Sequence, residues 1–336
     1  MITRSPSRLE SEPWQQALAA AISDPRELLQ LLGLEESSLP LPVDHDPDFP
    51  LRVPRYYAGL MRHGDPADPL LAQVLPTRRE RDPVTGFVTD PVDDLAAVQS
   101  PGMLKKYHGR ALMITTGACA VHCRYCFRRH YPYAGQSATR SWEAALDGLR
   151  RTPEVGELIL SGGDPLALSD RRLAALVSEA AAIPHLQRLR IHTRLPVVLP
   201  SRITPQLVDL IGASRLRSVV VIHVNHPHEV TRTLGEALWP LAAAGVQLLN
   251  QAVLLKSVND DADTLVKLSE SLFDRGVLPY YLHLLDPVAG AAHFSVSTER
   301  ARAIERALWE RLPGFLVPRV VREMPGAAGK SPLSQL

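Results

Sequence analysis

The sequence predicts an α/β fold, a partial (β/α)6 barrel similar in plan to a TIM barrel, with an N-terminal arm and a C-terminal tail. Short apolar, β-branched runs alternate with longer amphipathic stretches between about residues 111 and 285, which is typical of repeated βα units around a parallel sheet. Six such units suit a partial barrel better than a closed eight-stranded one. Two polar motifs also directly follow predicted strands. The active sites of such barrels lie at these C-terminal strand ends.

The elements of the barrel follow from this alternation. Strands are predicted at residues 111–116, 157–160, 189–193, 218–224, 246–255 and 277–285. Helices are predicted between them at residues 142–151, 171–182, 205–211, 229–244 and 261–275. Thr204 followed by Pro205 marks one helix start, because threonine caps free backbone amides and proline is favoured at the first helical position.

Three regions are predicted along the chain: an arm at 1–105, the barrel at 106–290 and a closing segment at 291–336. The arm is expected to be short helices and loops, because many of the 29 prolines lie between Pro40 and Pro101 and interrupt longer elements. We expect the arm to pack around the barrel or around a neighbouring subunit. A homo-oligomer is therefore one of the two arrangements that the sequence allows.

Composition limits the class of partner and the location. The net charge of +1, from 37 basic and 36 acidic residues, gives no global field that would attract nucleic acid or an anionic membrane, so neither is expected. No apolar run reaches the roughly 20 residues needed to span a bilayer as a helix. Glu10 and Glu12 precede the short apolar stretch at 17–22, which does not fit a signal peptide. A cytoplasmic protein is therefore expected.

The three cysteines of the chain, Cys119, Cys123 and Cys126, have the spacing C-x3-C-x2-C directly after the first predicted strand. Thiolates so spaced can hold three irons of a 4Fe-4S cluster and leave the fourth iron without a protein ligand. The spacing is typical of radical SAM enzymes, in which S-adenosylmethionine binds that iron and yields a 5'-deoxyadenosyl radical on reduction. Two alternatives remain from spacing alone: a structural zinc completed by His122 or His130, and unligated thiols.

A glycine-containing loop follows the second predicted strand, with the residues Ser161, Gly162, Gly163 and Asp164. Glycine allows backbone amides and carbonyls to approach a ligand closely, although a tight turn alone would also explain the motif. Because it lies in the same barrel as the cysteines, we interpret this loop as a binding site for the amino group of S-adenosylmethionine. His192 and Gln251, at or just beyond strand ends, are further predicted contacts of S-adenosylmethionine.

Several segments are informative when taken together. Residues 119–129, 161–166, 250–260 and 326–332 resemble the lysine 2,3-aminomutase family of radical SAM enzymes, and the resemblance runs from about Tyr56 to the C-terminus. Within that family, residues 108–112, 126–133 and 280–283 are most similar to the bacterial branch that supplies β-lysine for elongation factor P.

The resemblance implies a second cofactor, pyridoxal 5'-phosphate. It assigns the catalytic, Schiff-base lysine to Lys330, which follows a run of small residues in the tail. Arg110 matches the position that holds the cofactor phosphate, and a planar guanidinium suits a phosphate group. Tyr107 matches a neighbouring cofactor contact, while Lys106 stands where the better-known aminomutases carry arginine.

The resemblance also implies how L-lysine is bound. Arg128 matches the arginine that pairs with the substrate carboxylate, and Asp286 and Glu323 match the acidic positions that bind the distal ammonium. Buried carboxylates need a cation, which lysine provides. The catabolic enzymes carry aspartate at the position of Glu323 and glycine-rich residues where this chain has alanines. They also use extra cysteines for a zinc; this chain has none, so no zinc is predicted.

The implied function is that of an isomerase, a pyridoxal phosphate-dependent radical SAM aminomutase that converts L-α-lysine to β-lysine in its R form. The product would serve the β-lysylation of elongation factor P, which implies a functional link to that factor and its lysyl ligase. Two alternatives remain. One is a catabolic 2,3-aminomutase acting on free lysine or another cationic amino acid, and the other is a non-catalytic iron–sulfur binding module.

Overall fold

Ten strands that neighbour one another in chain order form one sheet within residues 13–138 and 142–335, the part of the chain that the computed structural model describes. The strands are β1 (Val98–Ser100), β2 (Met103–Leu104), β3 (Arg110–Thr116), β4 (Glu157–Gly162), β5 (Arg188–Thr193), β6 (Arg217–His223), β7 (Gln247–Leu254), β8 (Leu278–Leu284), β9 (Arg319–Arg322) and β10 (Ser331–Pro332). The order runs from β1 at one edge to β10 at the other, which makes the barrel partial rather than closed.

The parallel part of the sheet extends from β3 to β9. The six predicted strands are confirmed as β3 to β8, with ends that differ by a few residues. The predicted number of parallel strands is too low by one, because β9 adds to β8 with Tyr281 opposite Arg319. Two short antiparallel strands, β1 and β2, precede β3, and β10 pairs antiparallel with β9.

Helices connect and cover the strands. They are α1 (Pro13–Ala19), α2 (Pro25–Leu32), α3 (Arg55–Ala58), α4 (Pro69–Ala72), α5 (Tyr133–Gln136), α6 (Glu143–Arg150), α7 (Asp170–Ala181), α8 (Leu195–Val198), α9 (Pro205–Gly212), α10 (Arg232–Ala243), α11 (Ala262–Phe273) and α12 (Thr298–Arg311). The five predicted barrel helices correspond to α6, α7, α9, α10 and α11. As predicted, Thr204 caps α9 by accepting a hydrogen bond from the Leu207 amide.

One predicted helix begins later than expected. The prediction placed its start at residue 229, whereas α10 begins at Arg232. The difference arises because Pro227–Glu229 form a separate 3-10 turn and Thr231 then caps α10, accepting a hydrogen bond from the Leu234 amide at 3.0 Å.

The arm, the barrel and the closing segment share one hydrophobic core. Trp14 of the arm, Leu160 of the barrel and Leu333 near the end of the chain are all buried in it. The first twelve residues of the predicted arm, with Glu10 and Glu12, and Leu336 of the closing segment lie outside the described residues. None of the helices described is long and apolar enough to cross a membrane.

Candidate active site

A cavity lies inside the barrel, and we call it the central cavity. Its lining follows the alternation of parallel strands, because every second residue of a strand points to the same side. Ile159 and Ser161 of β4, Gln251 and Val253 of β7, and Tyr281 and His283 of β8 illustrate this alternation. Nine of the predicted site residues line the cavity: Tyr107, Arg110, Arg128, Ser161, His192, Gln251, Asp286, Glu323 and Lys330. The structure therefore brings together residues that are far apart in sequence.

A chain of charge pairs follows the cavity wall. Lys330 Nζ lies 2.8 Å from Glu323 Oε2, and Lys106 Nζ lies 3.1 Å from Glu323 Oε1. Lys106 Nζ also lies 2.6 Å from Asp94 Oδ1, and Arg128 Nε donates to Asp94 Oδ2 at 2.6 Å. This charge chain, from Lys330 to Arg128, links the predicted lysine to the predicted carboxylate-binding arginine.

Asp94 has no counterpart in the sequence predictions. It lies in the proline-containing arm, where the sequence predicts that an acidic side chain is exposed on a loop. In the structure, however, Asp94 is buried. Burial alone would raise its pKa, but Arg128 and Lys106 outweigh burial and lower it. Asp94 is therefore a charged partner that orients two cations of the cavity, and only the folded arm brings it there.

The two predicted ammonium-binding carboxyls differ in their protonation. Burial favours a neutral Glu323, but Lys330 and Lys106 beside it outweigh burial and lower its pKa to about 2. Asp286 is half-buried, and desolvation together with the charge of Glu323 raises its pKa to about 7. Its Oδ1 atom is buried without a hydrogen-bond partner in the protein. Of these two carboxyls, Glu323 is therefore paired with cations, whereas Asp286 has no paired cation of its own.

Several other buried polar atoms of the cavity lining also lack a partner within the described residues: Arg110 Nε, His192 Nε2, His223 Nε2, Gln251 Oε1 and His283 Nε2. Buried polar atoms in proteins are nearly always hydrogen-bonded, so a group of them facing one cavity indicates a site for a polar ligand. His223 and His283 were not among the predicted site residues. A histidine within an apolar strand pattern gives no sign of which side of the sheet it faces.

The cavity histidines are neutral. Burial, followed by the charge of Arg190, lowers the pKa of His192. Burial and the charge of Arg194 lower the pKa of His223 to about 3. Burial and the charge of Lys330 lower the pKa of His283. Each neutral ring offers one hydrogen-bond donor and one acceptor.

The three cysteines share one loop between β3 and α5. The amide of Cys126 donates to the carbonyl of Cys123 at 3.0 Å, which closes a tight turn. Burial and the charge of Cys123 raise the pKa of Cys126 to about 11. Burial, then Cys126 and Asp164, raise the pKa of Cys119. The thiols are close enough to influence one another, as ligands of one iron–sulfur cluster must be.

The two histidines considered as zinc ligands have partners in the protein. Nδ1 of His122 lies 2.8 Å from the carbonyl oxygen of Pro50, and its ring stacks on Phe49 at 4.8 Å between centroids. Nε2 of His130 lies 3.1 Å from the carbonyl oxygen of Ala289. Across residues 13–138 and 142–335, no three His, Cys, Asp or Glu side chains are arranged to hold a single metal ion.

The glycine-containing loop packs against the start of the cysteine loop. The amide of Gly163 donates to the carbonyl of Thr116 at 2.7 Å. A Cβ atom on Gly163 would lie 2.3 Å from the carbonyl oxygen of Ala118, and Gly162 has a φ of 128°. Glycine is required at both positions for this packing. Gly162 and Gly163 are not among the residues that line the central cavity, and their contact with S-adenosylmethionine stays a prediction.

Asp164 joins two strand ends. Its buried carboxylate accepts hydrogen bonds from Thr193 Oγ1 at 2.7 Å and from the amides of Leu166, Arg194 and Leu195 at 3.0, 2.8 and 2.9 Å. Burial raises the pKa of Asp164, although these donors oppose the effect. Four internal donors give this side chain a positioning task at the ends of β4 and β5, and its predicted contact with S-adenosylmethionine stays a prediction.

Comparison with known proteins places the chain in a family. Residues 113–252 match the Radical SAM superfamily. The chain is 49% identical over 331 residues to the L-lysine 2,3-aminomutase of Escherichia coli, covering 98% of this chain and 96% of that protein. It is 45% identical to the protein of that name from Haemophilus influenzae, covering 98% of each. It is 36% identical to that of Clostridium subterminale, covering 84% of this chain and 68% of that protein. The chain therefore belongs to the L-lysine 2,3-aminomutase family of radical SAM enzymes, a family of isomerases.

Proposed function

We propose that the protein is a pyridoxal phosphate-dependent L-lysine 2,3-aminomutase that converts L-α-lysine to (R)-β-lysine in the cytoplasm. We further propose that this β-lysine is attached to elongation factor P by its lysyl ligase. One observation carries the proposed reaction. The central cavity offers a guanidinium at one end of the charge chain and two carboxyls at the other, which matches an amino acid with a distal ammonium group.

Arg128 is the proposed partner of the substrate carboxylate. Asp94 accepts from its Nε atom, and its Nη1 atom donates to Ser161 Oγ at 3.0 Å, so the guanidinium has a fixed orientation in the cavity. A fixed guanidinium binds a carboxylate with geometric specificity. Asp286 and Glu323 are the proposed partners of the distal ammonium. A substrate with a second carboxylate, such as glutamate, would be repelled there, which favours lysine over glutamate.

Two features of the cavity support pyridoxal phosphate as a cofactor. The amine of Lys330 lines the cavity, 5.9 Å from the centroid of the Tyr281 ring. Arg110 has a buried Nε atom without a protein partner, and its guanidinium lies 4.7 Å from the centroid of the Tyr107 ring. Lys330 would hold the aldehyde carbon and Arg110 the phosphate. When bound, this cofactor supplies a conjugated ring over which an unpaired electron can be delocalised.

The radical SAM family implies an iron–sulfur cluster and S-adenosylmethionine. Cys119, Cys123 and Cys126 would hold a 4Fe-4S cluster, which supplies the one-electron reduction that cleaves S-adenosylmethionine. His192 and Gln251 offer buried polar atoms without protein partners on the cavity wall, which supports them as contacts of S-adenosylmethionine. The chain's own contribution is to fix the substrate by both ends and to exclude water from the barrel interior, so that the reacting atoms stay in place.

The reaction is tested by anaerobic assay of protein with a reconstituted cluster, pyridoxal phosphate, S-adenosylmethionine, a low-potential reductant and L-lysine. Chiral chromatography should detect (R)-β-lysine. Lys330→Ala should abolish both β-lysine and the absorption band of bound pyridoxal, whereas Lys267→Ala, an exposed lysine of α11, should retain both. Deoxyadenosine without β-lysine would reject lysine as the substrate, and a fully active Lys330→Ala protein would reject the role of Lys330.

The link to elongation factor P needs its own test, because it is supported only by the similarity of residues 108–112, 126–133 and 280–283 to that branch of the family. The protein is combined with the factor, its lysyl ligase and L-lysine. Mass spectrometry then locates the modified residue of the factor, and chiral chromatography after hydrolysis identifies the attached amino acid. Modification that requires this protein and carries β-lysine supports the role. Modification at the same rate without it would favour a catabolic aminomutase.

A further inference from the structure

Arg194 brings a guanidinium to one of the three cysteines. It directly follows β5, and its Nη1 atom donates to the sulfur of Cys123 at 2.8 Å. The side chain is 5% exposed. Arg194 belongs neither to the charge chain nor to the lining of the central cavity.

The guanidinium is held in a single orientation. Its Nη2 atom donates to Glu229 Oε1 and to Gln73 Oε1, each at 2.7 Å, and to the hydroxyl of Tyr57 at 3.0 Å. Its backbone amide donates to Asp164 Oδ2 at 2.8 Å. Gln73 and Tyr57 come from the arm, and Glu229 follows β6. Three separate parts of the fold therefore aim one N–H group of Arg194 at the sulfur.

The charge of Arg194 is balanced on the side away from the cysteine. Glu229 is completely buried, and its Oε2 atom accepts from the amides of Asn225 and His226 at 2.7 and 2.9 Å. Arg194 and Glu229 thus form a buried ion pair that directs its cationic member toward Cys123 Sγ. The cost of burying a charge is offset by this pairing and by the surrounding hydrogen bonds.

We infer that Arg194 is a positioning residue for the iron–sulfur cluster. Its guanidinium holds the Cys123 sulfur in place and raises the reduction potential of the cluster. An added electron increases the negative charge on the cluster and its sulfur ligands. A donated N–H bond and a nearby cation stabilise this reduced state more than the oxidised state. The electron itself comes from a low-potential one-electron donor. The fit of the site to a cluster rests on the three neighbouring thiols of one loop.

The test measures the potential of the reconstituted cluster by redox titration, followed by electron paramagnetic resonance. No pyridoxal phosphate or lysine is added, so the result does not depend on the proposed substrate. Arg194→Lys keeps the charge but loses the forked donor. The double variant Arg194→Gln/Glu229→Gln removes both members of the ion pair and leaves no buried charge alone. Iron and sulfide are counted first, to confirm a full cluster.

Both Arg194 variants should show a lower potential. At a fixed ambient potential, the ratio of reduced to oxidised cluster should fall about tenfold, equivalent to ~59 mV for one electron. Glu229→Gln alone should shift the potential in the opposite direction, because it leaves the cation without its carboxylate. Arg202→Lys is the matched control. Arg202 is also completely buried and pairs with Asp170 at 2.7 Å, and this variant should leave the potential unchanged.

The outcomes separate a role at the cluster from a general role in packing. Unchanged potentials in both Arg194 variants with full clusters would overturn the inference, and so would equal shifts in Arg202→Lys. If both Arg194 variants lose the cluster while Arg202→Lys keeps it, the positioning of Cys123 is supported. If Arg202→Lys loses it equally, the effect belongs to the fold and the inference is overturned.

Discussion

Asp286 and Glu323 show how neighbouring cations decide the state of a carboxyl group. Both are half-buried and line the central cavity, close enough for their charges to interact. Glu323 has two lysine amines within 3.1 Å and a pKa of about 2, whereas Asp286 has a pKa of about 7. Glu323 is therefore ionised at every physiological pH, and Asp286 is the group whose charge changes near neutrality.

This difference predicts a pH dependence of substrate binding. An acid with a raised pKa is neutral below that pKa, so Asp286 loses its attraction for an ammonium group as the pH falls through about 7. The KM for L-lysine should fall as the pH rises from about 6 to about 8. Asp286→Asn should remove this slope and cost about 2 kcal/mol of binding at the upper pH. Steady-state kinetics across this pH range provide the measurement.

Glu323→Gln is the matched comparison, because Glu323 stays ionised throughout. Its loss should weaken lysine binding across this pH range. The slope should persist but move to lower pH, because the charge of Glu323 helps to raise the pKa of Asp286. A wild-type KM that does not change with pH, or a slope that survives in Asp286→Asn, would contradict the assignment of Asp286.

At this scale the sequence predicted the residues better than their partners. Motifs around Lys330, Arg128 and Glu323 predicted that these side chains belong to one site, and all three line the central cavity. Nothing in the sequence indicated that Lys106 bridges Asp94 and Glu323, because such pairs join positions that only the fold brings together. Pairing between distant loops leaves no periodic or local signal in a chain.

Among the elements, the turn after β4 constrains the position of the cysteine loop through a close backbone contact. Gly163 leaves no room for a side chain against Ala118, just before Cys119. Gly163→Ala should displace the cysteine loop, and reconstituted protein should hold less than half of the wild-type iron, as a rough expectation from a clash with rigid backbone. Iron and sulfide analysis after reconstitution provides the measurement.

Gly148→Ala in α6 is the control for this substitution. A Cβ atom on Gly148 meets nothing within 4 Å, and alanine favours a helix more than glycine does. This variant should keep its full iron content and be slightly more stable. Full iron in Gly163→Ala would show that the loop can shift without loss of the site.

The sequence predicted elements well where their pattern was long. Five of the strands from β3 to β8 contain an apolar run, and β5 alternates Leu189 and Ile191 with polar residues, whereas β9 has four residues with arginine at both ends. A segment of that length and composition gives no strand signal. Its position at the edge of the parallel sheet depends on pairing with β8, which is a property of the fold.

For the molecule as a whole, the arm is part of the site rather than an appendage. Glu80 of the arm accepts from Arg124 Nε at 2.8 Å and from Arg129 Nη2 at 2.6 Å, on either side of Cys126. The backbone of the cysteine loop also bonds to the arm, with the amide of His122 donating to the Arg52 carbonyl at 3.0 Å. The arm therefore clamps the loop that would hold the cluster.

Glu80→Gln should weaken this clamp. It leaves two buried guanidinium groups without their carboxylate, which should lower the free energy of unfolding by about 3 kcal/mol. Denaturant titration of the cluster-free protein provides the measurement. Glu236→Gln, in an exposed pair with Arg232 on α10, should leave stability unchanged. Equal stability of the two variants would show that the Glu80 contacts contribute little.

The pairing of Lys330 with Glu323 bears on the order in which the proposed cofactor and the substrate bind. The tail places the amine of Lys330 against Glu323, the carboxylate proposed for the distal amine of the substrate. The chain thereby carries a stand-in for lysine. If Lys330 binds pyridoxal phosphate as proposed, its amine would be tied to the cofactor and drawn away from Glu323. The carboxylate would then be free to accept the distal ammonium of lysine, so the cofactor would bind before the substrate.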